Sequence, residues 1–330
     1  MMKNIQLGRS GLLISKLGLG TMNFGWRTDE KESFRIMDKA IESGINFFDT
    51  ANSYGGSKEQ RGATERIIGR WFKQGGARRE KVVLATKVYS SMPVAYDGSN
   101  EDAGLSAYKI RRHLDASLHR LETDHIELYQ MHHMDTNVTW DELWEVFEAL
   151  VHQGKIFYVG SSNFAAWYLV FAQNAARLRN MLGLVSEQHK YNLLCRLPEL
   201  EVLPACKALG IGLTVYSPLH RGILSGRILS QVKGENNVTE NNISNGEKYY
   251  SQIGEYSKLC RELGYEESHV AIAWLLKNAY VTSVIIGPRT TEQLEKSIGA
   301  LEIDLDNDAM KKLDEIFPGP GGKAPEAYAW

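Results

Sequence analysis

The 330-residue chain has few cysteines: Cys195, Cys206 and Cys260, with no Cys-x-x-Cys pair. Three thiols cannot all pair within one chain, so a disulfide framework is excluded, and each reads as a small buried hydrophobe suited to a reducing compartment. No run of eighteen apolar residues occurs, which excludes an ordinary transmembrane helix. The start, Met1-Met2-Lys3-Asn4-Ile5-Gln6, lacks the apolar stretch of a secretory signal, so a cytoplasmic location is expected. Neither sign of charge dominates. The formal net charge is -2, so no global basic field draws the protein to nucleic acid or to an anionic membrane. No His, Cys and Asp cluster has zinc-ligand spacing, the His132-His133 pair is too close for a helix-borne site, and no metal is expected. A glycine-rich dinucleotide fingerprint is also missing. In Gly18-Leu19-Gly20-Thr21-Met22-Asn23 an asparagine stands where the third glycine belongs, which argues against a Rossmann dehydrogenase.

What is present is the composition of a globular protein with a large core, 43% apolar and 24% charged. No composition shift marks a boundary, so one domain over 1–330 is expected. Strand-length apolar runs alternate with helix-period segments. The strands read as Leu17 to Gly20, Ile45 to Phe48, Val82 to Thr86, Ile126 to Met131, Ile156 to Val159, one opening at Leu184-Val185, Ile211 to Val215, and Val284 to Ile286. Helices read as Lys31 to Ser43, Thr64 to Phe72, Ser106 to Leu121, Trp140 to Val151, Ala165 to Leu178, and a short one near Leu200 to Ala208. Such alternation implies parallel pairing with right-handed crossovers. An open doubly wound sheet and a closed (β/α)8 TIM barrel both fit, and strand number and length favour the barrel. Ile5 to Ile14 has a hairpin pattern that could plug the barrel's N-terminal mouth. Asp97 to Gly104 reads as a surface loop. Residues 230–246 read as a long loop, either a lid or a disordered excursion.

Chemistry in such a barrel belongs to the C-terminal strand ends. Asp49, Lys87 and His132 each close a strand, and Tyr54 lies five residues past Asp49 in the loop Ala51-Asn52-Ser53-Tyr54-Gly55-Gly56. Asp49 is in phase with Ile45 and Phe47, Lys87 with Val83 and Ala85, and His132 with Ile126 and Leu128, whereas His133 has the opposite phase. The sequence leaves open which phase faces inward. If these do, an aspartate, a lysine and a histidine converge at the barrel mouth. Singly, each has an ordinary reading as a turn, surface or packing residue, and only their joint placement on successive strands carries weight. A phenol titrates near pH 10, too high for efficient proton transfer at neutrality. A lysine ammonium beside it favours the phenolate, a carboxylate keeps that lysine charged, and an imidazole can orient a carbonyl oxygen. The set would make a general acid for carbonyl reduction, or a base for alcohol oxidation.

These residues sit in segments that resemble the aldo-keto reductase superfamily, nearest to bacterial members and the potassium-channel beta subunits. The resemblance runs from about Leu17 to Ala300. It is carried by Gly44-Ile45-Asn46-Phe47-Phe48-Asp49-Thr50-Ala51-Asn52-Ser53-Tyr54-Gly55, Ala85-Thr86-Lys87, Asp124-His125-Ile126-Glu127-Leu128-Tyr129-Gln130-Met131-His132, Gly160-Ser161-Ser162-Asn163-Phe164, Tyr216-Ser217-Pro218-Leu219 and Ile286-Gly287-Pro288-Arg289. It implies a tetrad of Asp49, Tyr54, Lys87 and His132 and an extended nicotinamide cofactor, NADPH, across the barrel mouth. Ser162, Asn163 and Gln188 would bind the carboxamide, and Tyr216 would stack on the nicotinamide ring. Thr21, Met22, Ser217, Pro218, Leu219 and Arg227 would line the ribose and pyrophosphate path. Gly287, Arg289, Gln293 and Ser297 would hold the adenosine end. Two departures stand out. Lys296 and Ser297 replace the Glu and Asn usual near the adenine, and Lys296 could serve the extra phosphate of NADPH or be a solvated helix residue. The channel subunits carry Asn where this chain has His132, which favours an active reductase over a mainly regulatory protein.

Three readings follow: a reductase, an aldolase using Lys87 as a Schiff-base nucleophile, and an NADPH-binding sensor acting through a partner. The expected partner is a small-molecule carbonyl substrate. Trp26, Tyr89, His133 and Phe164 lie in loops expected to border its pocket, an aromatic, partly polar site suited to aldehydes, sugars or cyclic ketones. The oligomeric state is not legible in the sequence.

Overall fold

Two antiparallel strands, β1 (Asn4–Gln6) and β2 (Leu13–Ser15), precede eight parallel strands that close into a barrel. The barrel strands of this computed structural model are β3 (Leu17–Gly20), β4 (Phe47–Asp49), β5 (Val83–Val88), β6 (Ile126–Met131), β7 (Ile156–Ser162), β8 (Leu184–Lys190), β9 (Gly212–Tyr216) and β10 (Val281–Ile286). Chain order is spatial order, and β10 closes the ring by pairing Val284 with Leu17. The structure describes residues 2–92, 103–226 and 249–324. Arg227, the 230–246 segment and residues 97–102 of the Asp97 to Gly104 loop lie outside the described residues.

Crossover helices α1 (Glu30–Glu42), α2 (Ala63–Lys73), α3 (Ala107–Leu121), α4 (Trp140–His152), α5 (Ala166–Leu178) and α6 (Val202–Leu209) surround the barrel. Their starts are legible in the sequence: the side chains of Asp29, Ser106 and Thr139 accept hydrogen bonds from the backbone N–H groups of Glu32, Lys109 and Glu142. Each satisfies an orphan donor of the first turn. Helices Tyr250–Leu263, Glu267–Lys277, Thr291–Gly299 and Asn307–Ile316 complete the described α-helices. The first two follow one another without a strand between them, so a reading keyed to strand–helix alternation has no slot for them. Strands β7 and β8 also run further than the apolar runs suggest, because Gly160-Ser161-Ser162 and Ser186-Glu187-Gln188 continue the parallel ladder with polar residues.

The interior of the barrel and the space outside it are separate cores. Leu17, Leu19, Phe48, Leu84 and Tyr129 face the helices, whereas Phe47, Ala85, Leu128, Val185 and Ile285 fill the barrel. The hairpin plugs the N-terminal end, where Leu7 and Ile14 join that inner cluster with no exposed surface. Gly8 makes the seat possible. It has φ +61°, and a Cβ there would lie 2.6 Å from the Gly210 carbonyl oxygen and the Gly212 nitrogen.

Candidate functional site

Strand alternation carries the inward phase of Phe47 to Asp49, of Ala85 to Lys87, and of Leu128 through Gln130 to His132. The hydrophobic inner cluster therefore settles the open question of phase: these residues point into the barrel, at its C-terminal end. Lys87 has no exposed surface, and Asp49 is 2% exposed. The Lys87 ammonium donates to Asp49 Oδ2 at 2.7 Å, to the Thr50 carbonyl at 2.8 Å and to the Tyr54 phenol oxygen at 3.2 Å. Its three protons are thus fully directed. The Tyr54 loop is held by the Gly62 N–H, which donates to the Tyr54 carbonyl at 2.9 Å. The His132 ring stands edge-on to Tyr54 with centroids 6.0 Å apart. Its Nδ1 is buried with no hydrogen-bond partner among the described residues.

The other carboxylate oxygen has partners that residue spacing does not reveal. Asp49 Oδ1 accepts from Gln188 Nε2 at 2.7 Å and from Gln130 Nε2 at 3.3 Å. Gln130 is a functional candidate missed from sequence. The available signal was a buried amide in the inward phase of β6, two residues before His132. Gly160 makes room for it. A Cβ at Gly160 would lie 2.5 Å from Ser186 Oγ and 3.0 Å from Gln130 Cγ.

Burial and charge set the electrostatics. Burial opposes the Lys87 charge, but the Asp49 carboxylate and the Tyr54 oxygen overcome it and hold the ammonium above the ordinary lysine range. Burial pushes the Tyr54 phenol up, Lys87 pulls it partly back, and Asp49 adds to the rise. The lysine's pull, expected to dominate, is outweighed by a desolvation that no sequence displays. Burial, with Lys87 and His133 nearby, holds His132 well below the ordinary histidine range, so its imidazole is neutral at pH 7.

Around this cluster lies a polar rim. Ser162 Oγ donates to the Gln188 carbonyl at 2.9 Å. Asn163, at φ +60°, donates through Nδ2 to the His132 carbonyl at 3.2 Å, and its Oδ1 accepts from the Tyr216 hydroxyl at 2.8 Å. Thr21 is buried and donates to the Asp49 carbonyl at 2.9 Å, while Met22 is exposed. Ser217, at φ +60°, and Pro218 and Leu219 follow β9, and the Ser217 carbonyl accepts from Asn192 at 2.9 Å. Exposed Gly287 and Arg289 follow β10, tied to the loop after β3 by Asn23 and Thr28, which donate to their carbonyls at 3.0 and 3.1 Å. The Arg289 N–H donates to Gln293 Oε1 at 2.9 Å, and Ser297 Oγ to the Gln293 carbonyl at 2.9 Å. Lys296 pairs with Glu266 at 3.4 Å on the surface.

Of the four residues expected beside the pocket, two meet each other and a third lies beside the Tyr54 loop. Tyr89 meets His133 edge-on at 5.2 Å, His133 stacks on His132 at 5.0 Å, and Trp26 packs on Gly56 beside the Tyr54 loop. Phe164 does not join them. It turns out of the inward phase after Asn163 and is fully buried against Trp140 and Tyr168 in the outer core. Among the described residues no group of His, Cys, Asp and Glu could hold a metal ion, and no helix is long and apolar enough to cross a membrane.

Comparison with known proteins agrees with this architecture. Residues 16–317 match the Aldo/keto reductase family. The chain is 56% identical over 329 residues to the uncharacterized oxidoreductase YrpG of Bacillus subtilis, covering all of both chains. It is 33% identical over 328 residues to a Schizosaccharomyces pombe protein provisionally described as a voltage-gated potassium channel subunit beta, covering 94% of this chain and 92% of that one. With the barrel, its hairpin and the lysine-centred cluster in place, the chain belongs to the aldo/keto reductase family and is an oxidoreductase of that family.

Proposed function

We propose that the protein is an NADPH-dependent carbonyl reductase in which Tyr54 protonates the carbonyl oxygen. One observation carries this reading: Lys87 Nζ lies between Asp49 and the Tyr54 phenol at 2.7 and 3.2 Å, with neutral His132 beside the phenol. The rim fits a nicotinamide dinucleotide. Ser162, Asn163 and Gln188 gather amide and hydroxyl groups next to the Tyr216 ring, and Gly287 has open space where a Cβ would meet nothing nearer than Asn23 Nδ2 at 3.7 Å. Arg289 is a fork-shaped donor suited to a 2′-phosphate. When bound, NADPH supplies the hydride for the carbonyl carbon.

The residues of the chain then have distinct tasks. Burial keeps Tyr54 protonated at neutral pH, so the acid form is the resting form. As negative charge develops on the carbonyl oxygen, the phenol proton moves to it and charge passes to the phenol oxygen. There Lys87 is already in hydrogen-bond contact, so the phenolate forms beside a fixed ammonium. Gln130, Gln188 and Lys87 between them occupy both Asp49 oxygens and keep the carboxylate in place. His132, neutral, can donate to the carbonyl oxygen without competing to protonate it. Solvent restores the phenol proton. An aldolase is disfavoured, because a Schiff-base lysine needs a lowered pKa and Lys87 has a raised one. The pocket-side residues Trp26, Tyr89 and His133 suit aldehydes, keto-sugars or cyclic ketones.

The test is NADPH oxidation against a panel of such carbonyls. Tyr54→Phe is expected to lower turnover about a hundred- to ten-thousand-fold at saturating NADPH with cofactor affinity little changed. A variant within about threefold of wild type would exclude Tyr54 as the acid. Arg289→Ala is expected to weaken NADPH about tenfold and NADH little, read by fluorescence titration. Equal affinities in both proteins would remove Arg289 from the phosphate site.

A further inference from the structure

Helix α5 buries one face and leaves an apolar one in solvent. Tyr168, Leu169, Ala172, Gln173 and Ala176 are buried, while Trp167, Val170, Phe171 and Leu178 are 51%, 41%, 56% and 88% exposed. Residues 167, 171, 174 and 178 fall on one side of a helix of 3.6 residues per turn. Within Ala166–Leu178 there is no acidic residue and a single cation, Arg177. Trp167 and Phe171 already pack edge-on, with ring centroids 5.9 Å apart.

We infer that this face is a self-association surface on which a second copy of the chain docks its own α5 antiparallel. Two observations select that occupant. The first is register. Within the exposed set the stripe 167, 171, 174 and 178 steps by four, three and four residues, an order that reads the same in both directions. A two-fold axis between positions 171 and 174 therefore sets Trp167 against Leu178 of the second copy and Phe171 against Asn174, with Val170 over the small Ala175. An isologous contact requires this: if one residue meets another, the reverse contact exists as well. The second is area. The exposed fractions amount to roughly 400 Å² of apolar surface. That is about the non-polar share of the ~800 Å² each partner contributes to a standard interface. A membrane-binding helix instead carries several cations beside its apolar face, and α5 has only Arg177.

The experiment is sedimentation equilibrium from about 1 to 100 µM. Wild type is expected to be dimeric, and Phe171→Glu monomeric and folded with the same turnover, because position 171 lies on the surface. Two outcomes would each overturn the proposal: a monomeric wild type at 100 µM, which flotation with anionic vesicles through Phe171 would reassign to a membrane face, or a Phe171→Glu variant that stays dimeric.

Discussion

The two ends of the barrel interior are made by the same strands in the same inward phase, and they are chemically opposite. At the N-terminal end Phe47, Ala85, Leu128 and Ile285 meet the hairpin's Leu7 and Ile14, and burial of apolar area holds them together. Two residues further along the same strands stand Asp49, Lys87 and Gln130, equally buried, where the ammonium and both carboxylate oxygens are all hydrogen-bonded and Gln130 Nε2 serves Asp49. The difference teaches that the scaffold does not demand charge at these positions. Apolar side chains in the same phase pack well one layer below, so packing alone does not account for the buried ion pair beside Tyr54.

Breaking the pair gives the largest expected effect. Lys87→Met should lower turnover at least a hundredfold and, by leaving Asp49 buried without its cation, lower stability by about 3–5 kcal/mol. Adding Asp49→Asn should recover much of that stability and none of the turnover, read by urea unfolding alongside saturating kinetics. Additive losses in the two variants would show that the residues act independently. At the other end, Leu7→Ala should cost about 2–5 kcal/mol of stability and change turnover less than twofold. A parallel collapse of turnover would show that the plug shapes the site. The smallest effect concerns pH. His132 in the folded protein titrates well below the unfolded value near 6.5. Between those values the unfolded chain binds a proton that the native one does not, so stability falls as pH drops below about 6.5. Urea midpoints at pH 7.5 and 5.5 should therefore differ more in wild type than in His132→Asn. Identical differences would mean that His132 titrates normally.

Much of this was legible in the sequence, for local reasons. Period-two alternation marks Asp49 and Lys87 as continuations of apolar strands, and capping residues such as Asp29 and Ser106 mark helix starts. The helices Tyr250–Leu263 and Glu267–Lys277 were not, because no strand separates them. Gln130 was hidden because an amide at a strand end has no distinctive spacing. Phe164 was misjudged as a pocket residue because the left-handed Asn163 before it changes the side chain's direction.

The order of strands and helices, the barrel they imply and the identity of the residues at its mouth were determined by the sequence alone, because they follow from local periodicity and residue type. Which phase faces inward, which amides hold Asp49, and that burial raises the Tyr54 phenol against the pull of Lys87 were decided only by the tertiary structure. Each depends on distance and solvent exclusion between residues far apart in the chain, such as the 139 positions separating Gln188 from Asp49. The apolar face of α5 is decided in the same way, since a helix's own pattern does not say which of its two apolar sides the barrel will cover.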